Sequence, residues 1–67
     1  MYKSRLKYFR EDKGWTQQEL SENSGVSLRS IQMFEQGNRD INKASVITVL
    51  QLSEALGCDV YEIINDR

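Results

Sequence analysis

Between Ser27 and Gln36 the side chains sort by helical spacing. Leu28, Arg29, Gln32, Met33 and Gln36 fall on one side, and Ile31, Phe34 and Glu35 on the other. Arginine and glutamine carry flat, forked hydrogen-bonding groups. Arginine can bridge O6 and N7 of guanine, and glutamine can bridge N6 and N7 of adenine. Arg29 and Gln32 on one helix face are therefore suited to reading base edges in the major groove of double-stranded DNA. Leu28 and Met33 have no hydrogen-bonding use there, and suit either thymine methyl groups or a protein-binding patch. Polar side chains also decorate ordinary solvated helices, so the reading depends on the elements that hold this face in position.

Other chemistries lack their residues. The chain of 67 residues has no histidine and one cysteine, Cys58. No disulfide can close within it and no Cys/His zinc site can form, so neither a metal nor a cofactor is expected. The serines have no histidine or lysine at nucleophile spacing, and Glu19 and Glu22 share a short helix with no pocket to raise a pKa. Catalytic residues are not expected, and an enzyme is set aside. Cys58 has no basic neighbour in sequence, which favours a small packing residue over a redox sensor. No apolar run approaches the ~20 residues of a membrane span, and Met-Tyr-Lys-Ser-Arg is not followed by the apolar stretch of a secretory signal. A cytoplasmic protein without a membrane partner fits best.

Net charge is −1, which argues against simple polyanion binding, but the charge is uneven. Residues 1–43 hold eight Lys/Arg against six acids, a net of +2, whereas residues 44–67 hold Arg67 against Glu54, Asp59, Glu62 and Asp66, a net of −3. One end suits phosphates and the other repels them. A weak overall field leaves discrimination to direct contacts.

The length fits one domain, residues 1–67, with one compact core. Gly14, Gly25, Gly37 and Gly57 each stand at or just past the end of an apolar-periodic segment and divide the chain into five helical segments. The first runs from about Tyr2 to Lys13, with Leu6 and Phe9 on one face and Arg10 beside them. The second starts at Thr16, where Thr16 and Glu19 match a capping box and Trp15 can staple against Leu20. After the turn Asn23-Ser24-Gly25-Val26, Ser27 caps the third. The fourth runs from about Lys43 to Leu56, with Val46, Val49, Leu50, Ser53 and Leu56 inward. Its β-branched run Val46-Ile47-Thr48-Val49 could suggest a strand, but no partner strand exists elsewhere. The fifth opens at Asp59, where Asp59 and Glu62 repeat the capping box, and buries Val60, Ile63 and Ile64. Phe9, Trp15, Leu20, Val26, Ile31 and Phe34 are expected in the core. The reading is an all-α, compact five-helix bundle with a helix-turn-helix at about residues 16–35.

The ordered set Trp15-Thr16-Gln17-Gln18-Glu19-Leu20, Gly25-Val26-Ser27, Ile31-x-x-Phe34-Glu35-x-Gly37 and Ala55-Leu56-Gly57 resembles the Cro/cI-type (lambda-repressor-like, XRE) helix-turn-helix family, from Leu6 to Ile64. The resemblance implies a five-helix domain that binds DNA in the major groove, usually as a dimer on a palindrome. Ser21 stands where the family usually has alanine, and is small enough to keep the two motif helices close. Leu28 and Met33 are less polar than the family's usual residues there. By resemblance, Gln17 matches a phosphate-clamping position, and Asn38, Arg39 and Lys43 match the loop that meets the sugar-phosphate backbone. Gln17, Gln18 and Ser27 also lie at helix starts, where N–H groups attract phosphate. Simple helix-start filler and solvated loop charge are the plain alternatives for these positions. In the family an arginine on helix one commonly pairs with a glutamate at the end of helix three, and Arg10 and Glu35 match both positions. Glu35 falls on the inward side, where an unpaired carboxylate would be costly.

The implied function is a sequence-specific transcription regulator, a repressor, that binds as a homodimer. A single half-site is too weak an address for so small a domain, and dimerisation is expected near Tyr61 and Ile64. The alternative is a protein-interaction module, such as the antitoxin-like partner of a toxin. The acidic net charge and the apolar Leu28 and Met33 motivate it.

Overall fold

Side-chain caps set most of the helix boundaries. The computed structural model describes residues 5–64, which form five α-helices and no strand: α1 (Leu6–Asp12), α2 (Gln17–Ser24), α3 (Leu28–Gln36), α4 (Val46–Leu56) and α5 (Val60–Ile63). Thr16 and Glu19 make the expected capping box. The Thr16 hydroxyl accepts from the Glu19 N–H at 3.1 Å, and the Glu19 carboxylate accepts from the Thr16 N–H at 2.8 Å. Ser27 caps α3 by accepting from the Ser30 N–H at 3.1 Å. Asp59 and Glu62 repeat the capping box at α5.

α2 is the hub. It packs against α3 and α4, while α1 packs on α3 and α5 on α4. The core is Leu6, Leu20, Val26, Ile31, Phe34, Ile41, Val49, Leu52, Leu56 and Ile63. Phe9 and Trp15 lie only half-buried at its edge, which corrects their placement in the interior. The Arg5 guanidinium lies 5.3 Å from the Phe9 ring centre, and the Lys13 ammonium 5.6 Å from that of Trp15. Cations thus lie over aromatic faces at the rim, an arrangement favoured where one side of the ring meets water.

The helix bounds and buried faces differ in part from the expectation. Of the first helix, Leu6–Asp12 is helical with Lys13 as its C-cap, and Tyr2, Lys3 and Ser4 lie outside the described residues. The fourth helix does not begin at Lys43. A 3₁₀ turn covers Ile41–Lys43, Ala44 is extended, and Ser45 caps α4 by accepting from the Thr48 N–H at 3.2 Å. The inward face of α4 is also rotated. Val49, Leu52, Ser53 and Leu56 are buried, whereas Val46 is 73% and Leu50 45% exposed. Five of the seven positions from Val46 to Leu52 are apolar, so periodicity alone does not select the buried stripe. Of Val60, Ile63 and Ile64, all expected to be buried by the fifth helix, only Ile63 is; Val60 and the C-cap residue Ile64 are half-buried, which corrects that expectation. Among the described residues, no helix is long and apolar enough to cross a membrane.

Candidate nucleic-acid interface

The turn between α2 and α3 is Gly25-Val26-Ser27. Gly25 has φ +80°, a left-handed conformation that glycine adopts without steric penalty, and its N–H closes α2 onto the Ser21 carbonyl at 2.9 Å. Ser24 and Ser21 then grip the turn from both sides. The Val26 N–H donates to the Ser24 hydroxyl at 3.1 Å, and the Ser21 hydroxyl donates to the Val26 carbonyl at 2.7 Å. Ser21 therefore does more than fit the helix crossing, because its hydroxyl satisfies a turn carbonyl that alanine would leave to another donor.

α3 leaves this turn with one sealed side and one open side. Ile31 and Phe34 are buried. Glu35 lies beside them and meets Arg10 of α1 through a two-pronged ion pair. Arg10 Nε donates to Oε2 at 2.7 Å and Nη2 donates to Oε1 at 3.0 Å. Arg10 Nη1 donates to the Trp15 carbonyl at 2.7 Å. Only 11% of the Arg10 and 3% of the Glu35 side chain is exposed. Hydrogen bonding to Glu35 raises the Arg10 pKa above its ordinary value, with desolvation opposing it. The forked geometry fixes two directions at once, so the pair restrains the roll of α3 as well as its distance from α1.

On the open side Arg29 and Gln36 are exposed, and Leu28, Gln32 and Met33 are half-buried. Helical spacing brings Arg29, Gln32, Met33 and Gln36 onto one stripe, with Leu28 at its edge. Among the described residues the Arg29 guanidinium and the Gln32 amide make no hydrogen bond to the protein. α3 has nine residues, about 13 Å of helix, against a major groove about 12 Å wide.

The residues expected to meet phosphate are more engaged than the sequence suggests. Gln17 Nε2 donates to Glu35 Oε1 at 3.0 Å, and Gln18 Nε2 donates to Glu22 Oε2 at 3.2 Å. Besides capping α3, the Ser27 hydroxyl donates to that of Ser30 at 3.0 Å. Asn38 Nδ2 donates to Gln36 Oε1 at 3.0 Å. Arg39 Nη1 donates to the Ser30 hydroxyl at 3.3 Å, and its guanidinium lies 5.7 Å from the Phe34 ring centre. Lys43 is exposed at the end of the 3₁₀ turn. Ser30 is not among the residues expected to meet phosphate. Its signal was its place three residues after the capping Ser27.

A capped helix, a tight turn through a left-handed glycine, and a second helix sealed on one side and open on the other define a helix-turn-helix DNA-binding domain. The chain belongs to the Helix-turn-helix family of Cro/cI (XRE) type, whose profile matches residues 6–63. It is similar to an uncharacterized HTH-type transcriptional regulator, y4dJ, of Sinorhizobium fredii, at 36% identity over 55 residues; the match covers 82% of this chain and 68% of the relative.

Proposed function

We propose that this protein is a sequence-specific DNA-binding transcription regulator, a repressor, that sets α3 into the major groove. The observation that carries the reading is the pair Arg29 and Gln32. Both lie on the open stripe of a helix whose opposite side is sealed by Ile31, Phe34 and the Arg10–Glu35 pair. Arg29 and Gln32 read base edges, and Leu28 and Met33 meet thymine methyl groups. Gln17, Gln18, Ser27, Asn38, Arg39 and Lys43 hold the phosphates on either side. The regulator works in the cytoplasm as a homodimer on a two-fold operator, with half-sites about 34–36 Å apart or a multiple of that. Selection from a random duplex pool, then anisotropy titration of the selected site, tests it. Gln32→Ala is expected to change the preferred base at one position per half-site. An equal loss on every sequence would remove Gln32 from reading.

A second reading, the antitoxin-like partner of a toxin, is favoured by a different surface. Val46 and Leu50 are exposed on the wall of an apolar groove of about 240 Å³, and Ile47 and Tyr61 are exposed elsewhere on α4 and α5. Ile41, Val49, Val60 and Ile64 contribute to the groove wall. In the first reading a second copy covers the groove, which fits the expectation of dimerisation near Tyr61 and Ile64. Light scattering of the purified protein separates the two. A dimer that Tyr61→Glu converts to monomer supports the homodimer, and a monomer at every concentration favours a foreign partner.

A further inference from the structure

α4 is apolar on the side it turns to water as well as on the side it buries. Val46, Ile47 and Leu50 are exposed, and helical spacing gathers them on one outward stripe, which Glu54 continues one turn beyond Leu50. A helix apolar on both sides ordinarily has neighbours on both. The stripe also carries opposite charges at its two ends. Lys43 is exposed at the end of the 3₁₀ turn, and its chain neighbours Asn42 and Ala44 line the groove together with Val46. Glu54 is exposed near the C-terminal end of α4. Neither side chain has an ion-pair partner among the described residues. The apolar stripe is centred near Thr48. Glu54 lies about 9 Å beyond that point along the axis, and Lys43 stands just outside the other end of the helix.

We infer that this face of α4 is the contact between two copies of the chain, with the two α4 helices antiparallel about a two-fold axis at the apolar stripe. This rests on the homodimer of the proposed function, and names its surface and orientation. A two-fold contact sets residue i against j and j against i. In the antiparallel arrangement the apolar stripes cover each other, and Lys43 of each copy meets Glu54 of the other, once at each end. Parallel helices would set Lys43 on Lys43 and Glu54 on Glu54. A surface that serves a foreign partner has no reason to carry its own complement, and this one does. The exposed pairs add little attraction. Their part is orientation, because like charges in the same places repel. An ammonium has three N–H donors, so the pair leaves Lys43 able to meet a phosphate as well.

The test is sedimentation equilibrium of the whole chain without DNA. The wild-type protein is expected to dimerise. Lys43→Glu and Glu54→Lys each set like charges against each other at both ends, and each should raise the dimer dissociation constant at least about tenfold. An equal mixture of the two variants should dimerise within about threefold of wild type, since a Lys43→Glu chain and a Glu54→Lys chain complement each other at both ends. Leu50→Ser is the variant that leaves the charges alone. At the centre of the contact it should also weaken the dimer about tenfold. A wild-type dimer that neither reversal nor Leu50→Ser disturbs overturns the inference and leaves the homodimer to another surface. Reversals that weaken the dimer without recovery in the mixture overturn the antiparallel pairing. If the wild-type chain is a monomer at every concentration, the homodimer reading fails and the inference fails with it.

Discussion

Glu35→Ala removes the acceptor of three hydrogen bonds and leaves a guanidinium without its counter-charge. Breaking a buried pair from one side costs about 3–5 kcal/mol. The lower end applies here, because Arg10 keeps its bond to the Trp15 carbonyl and its side chain is 11% exposed, enough to admit water. At about 0.05–0.15 kcal/mol per residue, a chain of this length has roughly 3–10 kcal/mol of stability in all. The substitution thus removes a third of the stability or more. At about 4–8 °C per kcal/mol for a domain of this size, the thermal midpoint should fall by about 12–24 °C, read by far-ultraviolet circular dichroism. Arg10→Met combined with Glu35→Leu should recover at least half of that loss, since removing both charges removes the unpaired group. A Glu35→Ala midpoint within about 2 °C of wild type, a change below roughly half a kcal/mol, would refute the idea that the pair fixes α3. The Arg10 contribution should not titrate below strongly alkaline pH. Its folded-state pKa is raised, so the stabilisation is complete below the ordinary arginine value and is lost only as pH rises through the higher folded-state one.

Three further outcomes are expected. Arg39→Ala should weaken all duplexes alike and flatten the salt dependence by about one unit, read by anisotropy titration across salt; a sequence-selective loss would assign Arg39 to base reading instead. Gly25→Ala should destabilise by about 1–2 kcal/mol in urea unfolding. The strain is that of φ +80°, since a Cβ there would stand an ordinary 3.5 Å from Gln51 Nε2. Cys58 should alkylate more slowly in the folded protein than in the denatured chain at mildly alkaline pH. Burial first, then the charges of Glu62 and Asp59, raises its pKa, so its contribution to stability is whole below the ordinary thiol value and lost as pH rises through the folded-state value. Equal alkylation rates in the two states would contradict this.

Local signals were the most legible part of the chain. Thr16 with Glu19, Ser27 and Asp59 with Glu62 each announced a helix start, and each cap is formed. The α3 wheel was legible because only one of its sides is apolar enough to bury, and Glu35 stood out as the charge on that side. α4 was misread for the opposite reason. Its apolar residues surround the axis, so the buried stripe follows from where α2 and α5 lie, which is long-range information. The capping hydroxyl of Ser45 was in the sequence, but the expected start at Lys43 ran past it. Ile41 and Leu52 were missed as core for similar reasons. Ile41 sits in a 3₁₀ turn too short to show a period, and Leu52 sits among other apolar residues. At the candidate interface, residue types and faces were legible but partners were not. Gln17 to Glu35 spans 18 positions and Arg10 to Glu35 spans 25. Arg39 to Ser30 depends on how the loop after α3 folds back.

The charge balance gives these partners their weight under the proposed reading. With a net charge of −1, counterion release at a few phosphates supplies little affinity that is independent of sequence. The difference between right and wrong sites must then come from short, directional contacts made by α3, and each of these is lost by a small error in the angle of the helix. A strongly basic domain could tolerate a loosely held reading helix, because its general attraction would keep it on DNA. This one cannot. A helix held from the α1 side by a forked ion pair and from the α2 side by the Gln17 amide is the arrangement such a weak field requires.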